Sequence, residues 1–114
     1  MKLIQHVRSR IVWSWAGLVD TWRSEYSFRS WIWAKLGSAT LAFWLLDGAE
    51  LALILALGLL VLAAELFNTA VERTVDLVSL EKSELARLAK DAASAGVMMT
   101  AIATGVAWGV VLVT

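Results

Sequence analysis

From Ala92 to Val113 the chain runs 22 residues without a charge and, like the whole sequence, without a proline. That single stretch constrains the fold more than any other feature. A helix rises 1.5 Å per residue and needs about 20 residues to cross ~30 Å of hydrocarbon. It also satisfies every backbone N–H and C=O internally, which an open strand in lipid does not. Leu51 to Ala64 is a second uncharged stretch, and 60% of all 114 residues are hydrophobic, against roughly 45–50% in soluble domains. The expectation is a single all-α integral-membrane domain.

The remaining organisation follows from periodicity. Between Leu3 and Trp22, the apolar residues Ile4, Val7, Ile11, Trp15, Leu18 and Trp22 recur every three or four positions, with Gln5, Arg8, Ser9 and Asp20 off that line. This predicts one amphipathic helix over about residues 3–25. It either lies along the membrane surface or packs its stripe on other helices. Three transmembrane helices are expected after it, at about 29–46, 50–78 and 88–113, with Lys35 snorkelling in the first. Asp47 to Glu50 forms an acidic turn, Ser79 to Arg87 a linker, and Gly105 and Gly109 stand at the spacing that permits close helix approach. Met1 to Trp15 is interrupted by Lys2, Gln5, His6, Arg8 and Arg10, so no cleavable signal is expected there.

Charge sorts cleanly along this plan. Lys2, Arg8, Arg10, Arg23, Arg29 and Lys35 lie at or before the start of the first span, and Arg73, Lys82, Arg87 and Lys90 lie between the second and third. Loops rich in Lys and Arg stay cytoplasmic. The N-terminus and the second connection therefore face the cytoplasm, while Asp47 to Glu50 and Thr114 face outward. A formal net charge of zero argues against a nucleic-acid partner, because phosphate binding draws on clustered excess basic residues. Cysteine is absent, which removes disulfides and thiolate metal sites.

The richest segment is Glu65-Leu-Phe-Asn68-Thr-Ala-Val-Glu72-Arg-Thr-Val-Asp76, which interrupts an apolar helix. On a helix, Glu65, Asn68, Glu72 and Asp76 project within roughly 80° of one another. Carboxylates at membrane depth are expensive and mark function when they line an interior. Three on one stripe imply a cation, a proton or a positive partner. Glu72 and Asp76 also fit ordinary interfacial charges, with Arg73 and Arg87 as solvated partners. Glu65, about two turns deeper than Glu72, does not.

The string ELFNTAVERTVD at Glu65 to Asp76 resembles the signature of the bacterial diacylglycerol kinases, small trimeric membrane enzymes. Two further segments are similar: Trp13 to Leu18 with Trp22, Glu25, Phe28 and Arg29, which resembles the family's surface helix and ExxFR element, and Leu88-Ala-Lys90-Asp91, which resembles its AKD segment. The resemblance implies ATP-dependent phosphorylation of a lipid hydroxyl at the bacterial inner membrane by a homotrimer. It also implies roles by position. Glu65 matches the general base, and Glu25 and Glu72 match carboxylates that bind Mg2+. Trp13, Asn68, Glu72, Asp76, Glu81, Lys82, Ser83, Lys90 and Asp91 fall at or beside nucleotide-binding positions. Trp22, Phe28, Arg29 and Glu65 are the expected lipid-substrate contacts. His6 stands where relatives carry an arginine, and Trp31 where an acidic residue can stand.

These residue types suit phosphoryl transfer. Mg2+ prefers hard carboxylate oxygens and retains several waters, and Glu25 and Glu72 can supply such oxygens. No GxxxxGK[ST] loop occurs, so side chains and the metal must hold the phosphates, with Lys90 the leading cation. A primary alcohol needs its proton removed, and an apolar setting suits a carboxylate to that task; Glu65 has that setting. Diacylglycerol is the expected substrate. Undecaprenol, phosphorylated by other members of the family, is the nearest alternative, and a non-enzymatic membrane subunit with a titrating Glu65 is the remote one.

Overall fold

A computed structural model describes all residues, Met1–Thr114. The chain is entirely helical: α1 spans Lys2–Ser24, α2 Tyr26–Leu45, α3 Gly48–Val78 and α4 Glu84–Val113. The 31 residues of α3 form a rod of about 46 Å. Principal extents of 49 × 46 × 23 Å therefore leave one dimension too long for helices packed side by side. That dimension comes from α1, which projects away from the other three.

Each break has a local cause. Glu25 is extended, with φ −117° and ψ 108°, and separates α1 from α2 by one residue. The Arg29 guanidinium reaches back and donates to the carbonyls of Trp22 at 2.5 Å and Arg23 at 3.1 Å, satisfying acceptors that every helix C-terminus leaves open. Between α2 and α3 the chain turns within Leu46-Asp47, and Gly48 takes a φ of +52°, a left-handed conformation that costs glycine little. The last helix begins at Glu84, four residues before the expected Leu88. The Ser83 side chain accepts a hydrogen bond from the Ala86 N–H at 3.1 Å, so it caps the helix and shortens the linker.

Residues α3 buries follow one stripe: Ile54, Gly58, Val61, Glu65 and Thr69. Against the N-terminal half of that stripe, Ala42 of α2 and Ala107 of α4 meet Ile54, with Leu46, Leu51, Leu57 and Trp108 around them. The Trp108 indole donates to Ser38 at 2.9 Å, tying α4 to α2. Thr100 and Thr104 donate to carbonyls of their own helix, at 2.7 and 3.0 Å, which hides hydroxyls inside an apolar segment.

Two of these helices, α3 and α4, are long and apolar enough to cross a membrane. They are not core helices of a soluble protein, because Leu53, Leu59, Leu60, Phe67, Met98, Met99 and Ile102 stand exposed along them. On α1, all six stripe residues from Ile4 to Trp22 are exposed. The stripe is thus not packed on this chain's other helices, apart from an edge contact between Trp22 and Trp33 at 6.2 Å. Gly105 and Gly109 face open space. The close approach within the chain is at Gly58, where an added Cβ would lie 3.4 Å from Lys35 Cδ.

Candidate active site

The α3 stripe that is apolar at Ile54 and Val61 turns polar at Glu65, with no change of face. Glu65 is 4% exposed. Its Oε1 accepts a hydrogen bond from the Ser27 hydroxyl at 2.6 Å, and its Oε2 has no partner. Ser27 lies in the first turn of α2, so the chain break at Glu25 is what brings it opposite Glu65. Thr69, one turn on, is also buried. Sequence reasoning did not single out Ser27, since its only signal is a polar residue 38 positions from its partner.

Beside Thr69, Asn68 Nδ2 donates to Glu72 Oε1 at 3.2 Å, while Asn68 Oδ1 is buried with no partner. An orphaned amide oxygen beside a carboxylate is a hard-oxygen pair of the kind Mg2+ takes. No three acidic or histidine side chains gather into a preformed cage. An ion held by one or two carboxylates and substrate phosphates needs no such cage, and Glu72 with Asn68 Oδ1 is the donor pair whose chemistry fits Mg2+. Glu25 lies at the α1–α2 break, 3.8 Å from the Arg73 guanidinium. Arg73 also donates to Ser24 at 2.7 Å. Arg73, expected with Arg87 as a solvated partner for Glu72 and Asp76, pairs with neither of them. Side chains next to each other on a helix diverge by about 100°, and this one reaches the joint.

At the far end of the stripe, Lys90 donates to Asp76 at 2.8 Å, joining α3 to α4 beside the turn. A groove of about 510 Å3 opens there, lined by Asp76, Glu81, Lys82, Ser83, Lys90 and Asp91 among others. Six of the expected nucleotide residues are thus neighbours in space. Trp13, on the projecting helix and 66% exposed, does not line this groove; neither do Asn68 and Glu72. Arg87 does, and it pairs with Glu84 and with Asp91 at 2.9 Å, not with Asp76. The expected lipid contacts are divided. Phe28 is 1% exposed and fills the joint, Arg29 caps α1, and Trp22 ends the exposed stripe in edge contact with Trp33.

Residues 12–112 match the model of the family described as prokaryotic diacylglycerol kinase. Diacylglycerol kinase of Escherichia coli (strain K12) is 35% identical over 101 residues, covering 88% of this chain and 83% of that one. The Pseudomonas aeruginosa enzyme of the same name is 38% identical over 101 residues, covering 88% and 82%. That of Haemophilus influenzae is 34% identical over 110 residues, covering 96% and 93%. Spanning most of the chain, the site stripe included, these similarities leave the non-enzymatic reading without support. The chain belongs to the prokaryotic diacylglycerol kinase family and is a lipid kinase.

Proposed function

We propose that this protein transfers the γ-phosphoryl group of ATP to the primary hydroxyl of diacylglycerol, giving phosphatidic acid at the cytoplasmic face of the bacterial inner membrane. The observation that carries this reading is a carboxylate, Glu65, buried at 4% exposure on the long apolar helix α3 and oriented by Ser27 at 2.6 Å.

Ser27 holds one carboxylate oxygen and leaves Oε2 to face an alcohol arriving from the bilayer. Glu65 accepts the hydroxyl proton as the alcohol oxygen forms its bond to phosphorus and the bond to the β-phosphate oxygen breaks. Glu72, Asn68 Oδ1 and Glu25 are the oxygens that would hold Mg2+, which when bound neutralises phosphate charge. Four carboxylates and three basic side chains line the groove at the α3–α4 turn. Without a cation such a surface repels a triphosphate, which supports the metal requirement. Lys90 leaves Asp76 for the phosphates with little loss, because exposed ion pairs are weak.

Packing supports three spans and an assembly. Antiparallel to α3 and joined to it by a two-residue turn, α2 shares whatever environment α3 occupies. The exposed stripe of α1 suits the headgroup boundary, with the N-terminus cytoplasmic and Thr114 outside. One copy leaves Glu72 half exposed, and Gly105 and Gly109 open, faces that further copies in a homotrimer would cover.

The test is lipid phosphorylation by purified Glu65→Gln protein, with its fold checked by its oligomeric state in detergent. Near-wild-type turnover would remove Glu65 from the role. Offering diacylglycerol and undecaprenol side by side with labelled ATP decides the substrate.

A further inference from the structure

On the outer side of the Glu65–Ser27 pair, α2 and α3 enclose a cleft of about 310 Å3 with walls of Ile32, Leu36, Ile54, Leu59 and Leu62. Lys35 is the only charged side chain lining it. Its stem crosses Gly58, where the absent side chain leaves room. Its ammonium stands 5.5 Å from the centre of the Trp31 ring, one turn back toward Ser27. The contact is a cation–π interaction. No ion pair in the chain involves Lys35, so its three N–H donors have no carboxylate to serve.

An ammonium in an apolar wall is costly unless acceptors reach it. In a bilayer cleft those acceptors are lipid oxygens. Trp31 lies four residues after Ser27, about 6 Å of helix rise, so the ammonium over its ring stands on the order of one to two helical turns from the carboxylate that Ser27 holds. An acylglycerol with its free hydroxyl at Glu65 carries an ester carbonyl within such a reach. A polyprenol carries no oxygen beyond its hydroxyl.

We infer that Lys35 is a specificity-determining residue for the lipid, donating to an ester carbonyl of an acylglycerol whose first methylenes occupy the α2–α3 cleft while its hydroxyl faces Glu65. The inference rests on the proposed acylglycerol reading and adds the group that tells an ester-bearing lipid from one without esters. Gly58 lets the lysine stem lie against α3, since even a Cβ there would already touch Lys35 Cδ at 3.4 Å.

The experiment compares wild type, Lys35→Met and Lys35→Arg in bicelles free of anionic lipid, so that no headgroup phosphate competes for the ammonium. Each is assayed with a diacylglycerol, the dialkyl ether of equal chain length, and a polyprenol. Wild type is expected to favour the ester over the ether. Lys35→Met should lower the ester-to-ether ratio of kcat/KM by about tenfold, the size of one hydrogen bond to a charged donor, with Lys35→Arg retaining most of the preference. Equal losses on ester and ether would reduce Lys35 to a packing residue and overturn the inference, as would an unchanged ratio. Wild-type turnover of the polyprenol alone would overturn the acylglycerol reading and the Lys35 role with it; in the other two failures the substrate reading survives.

Discussion

The joint around Glu65 and the groove at the α3–α4 turn are both built from charged and polar side chains, yet they are opposites in physical character. At the joint the carboxylate is 4% exposed and held by one short hydrogen bond. In the groove, Lys90, Asp76, Arg87, Glu84 and Asp91 pair with one another while remaining between 40% and 70% exposed. A buried polar contact is expensive to break, because the group left behind has no water to turn to. Exposed pairs exchange partners at small cost. On the proposed assignment of the two regions, the acceptor side is preorganised and the nucleotide side rearranges around its ligand.

This contrast can be broken by experiment. The largest effect is expected for Glu65→Gln, a loss in kcat of roughly 10²–10⁴, the range for a general base, with ATP binding retained; loss of binding as well would mean the two regions are not separable. Next come Glu72→Gln and Glu25→Gln, each raising the Mg2+ concentration for half-maximal rate on the order of tenfold or more. Metal titrations that overlay wild type would remove both from the metal site. Ser27→Ala should lower kcat about tenfold at unchanged KM for ATP, as one positioning hydrogen bond would, and Ser27→Thr should restore part of it. A change in KM for ATP instead would place Ser27 with the nucleotide. Lys90→Met is expected to raise KM for ATP by about three- to tenfold, an effect that shrinks at high salt. The smallest belongs to Arg87→Ala, whose thermal unfolding midpoint should match wild type, since both its partners are solvated; a clear drop would show that the groove is more rigid than its exposure implies.

The spanning character of α3 and α4 was legible in their uncharged runs, and the α3 stripe in its spacing, because both are properties of one helix and helical geometry is local. The boundary of α4 was placed four residues late, since the Ser83 cap outweighs the polarity of Glu84 to Arg87. Cross-helix partners were not legible in this way. Arg73, expected with Arg87 as a solvated partner for Glu72 and Asp76, instead reaches Ser24 and Glu25. Ser27 drew no notice at all, because nothing in a sequence says which turn of α2 will oppose which turn of α3.

By itself the sequence determined an all-helical membrane chain, a single polar face on its middle helix and membership of a kinase family, because burial periodicity and motif identity are written residue by residue. The tertiary structure alone decided that Ser27 orients Glu65, that Lys90 meets Asp76, and that Lys35 lies in the cleft Gly58 leaves open. Those contacts depend on the register between helices. That register is set by the one-residue break at Glu25, the turn at Gly48 and the packing around Ile54, none of which can be summed from local preference.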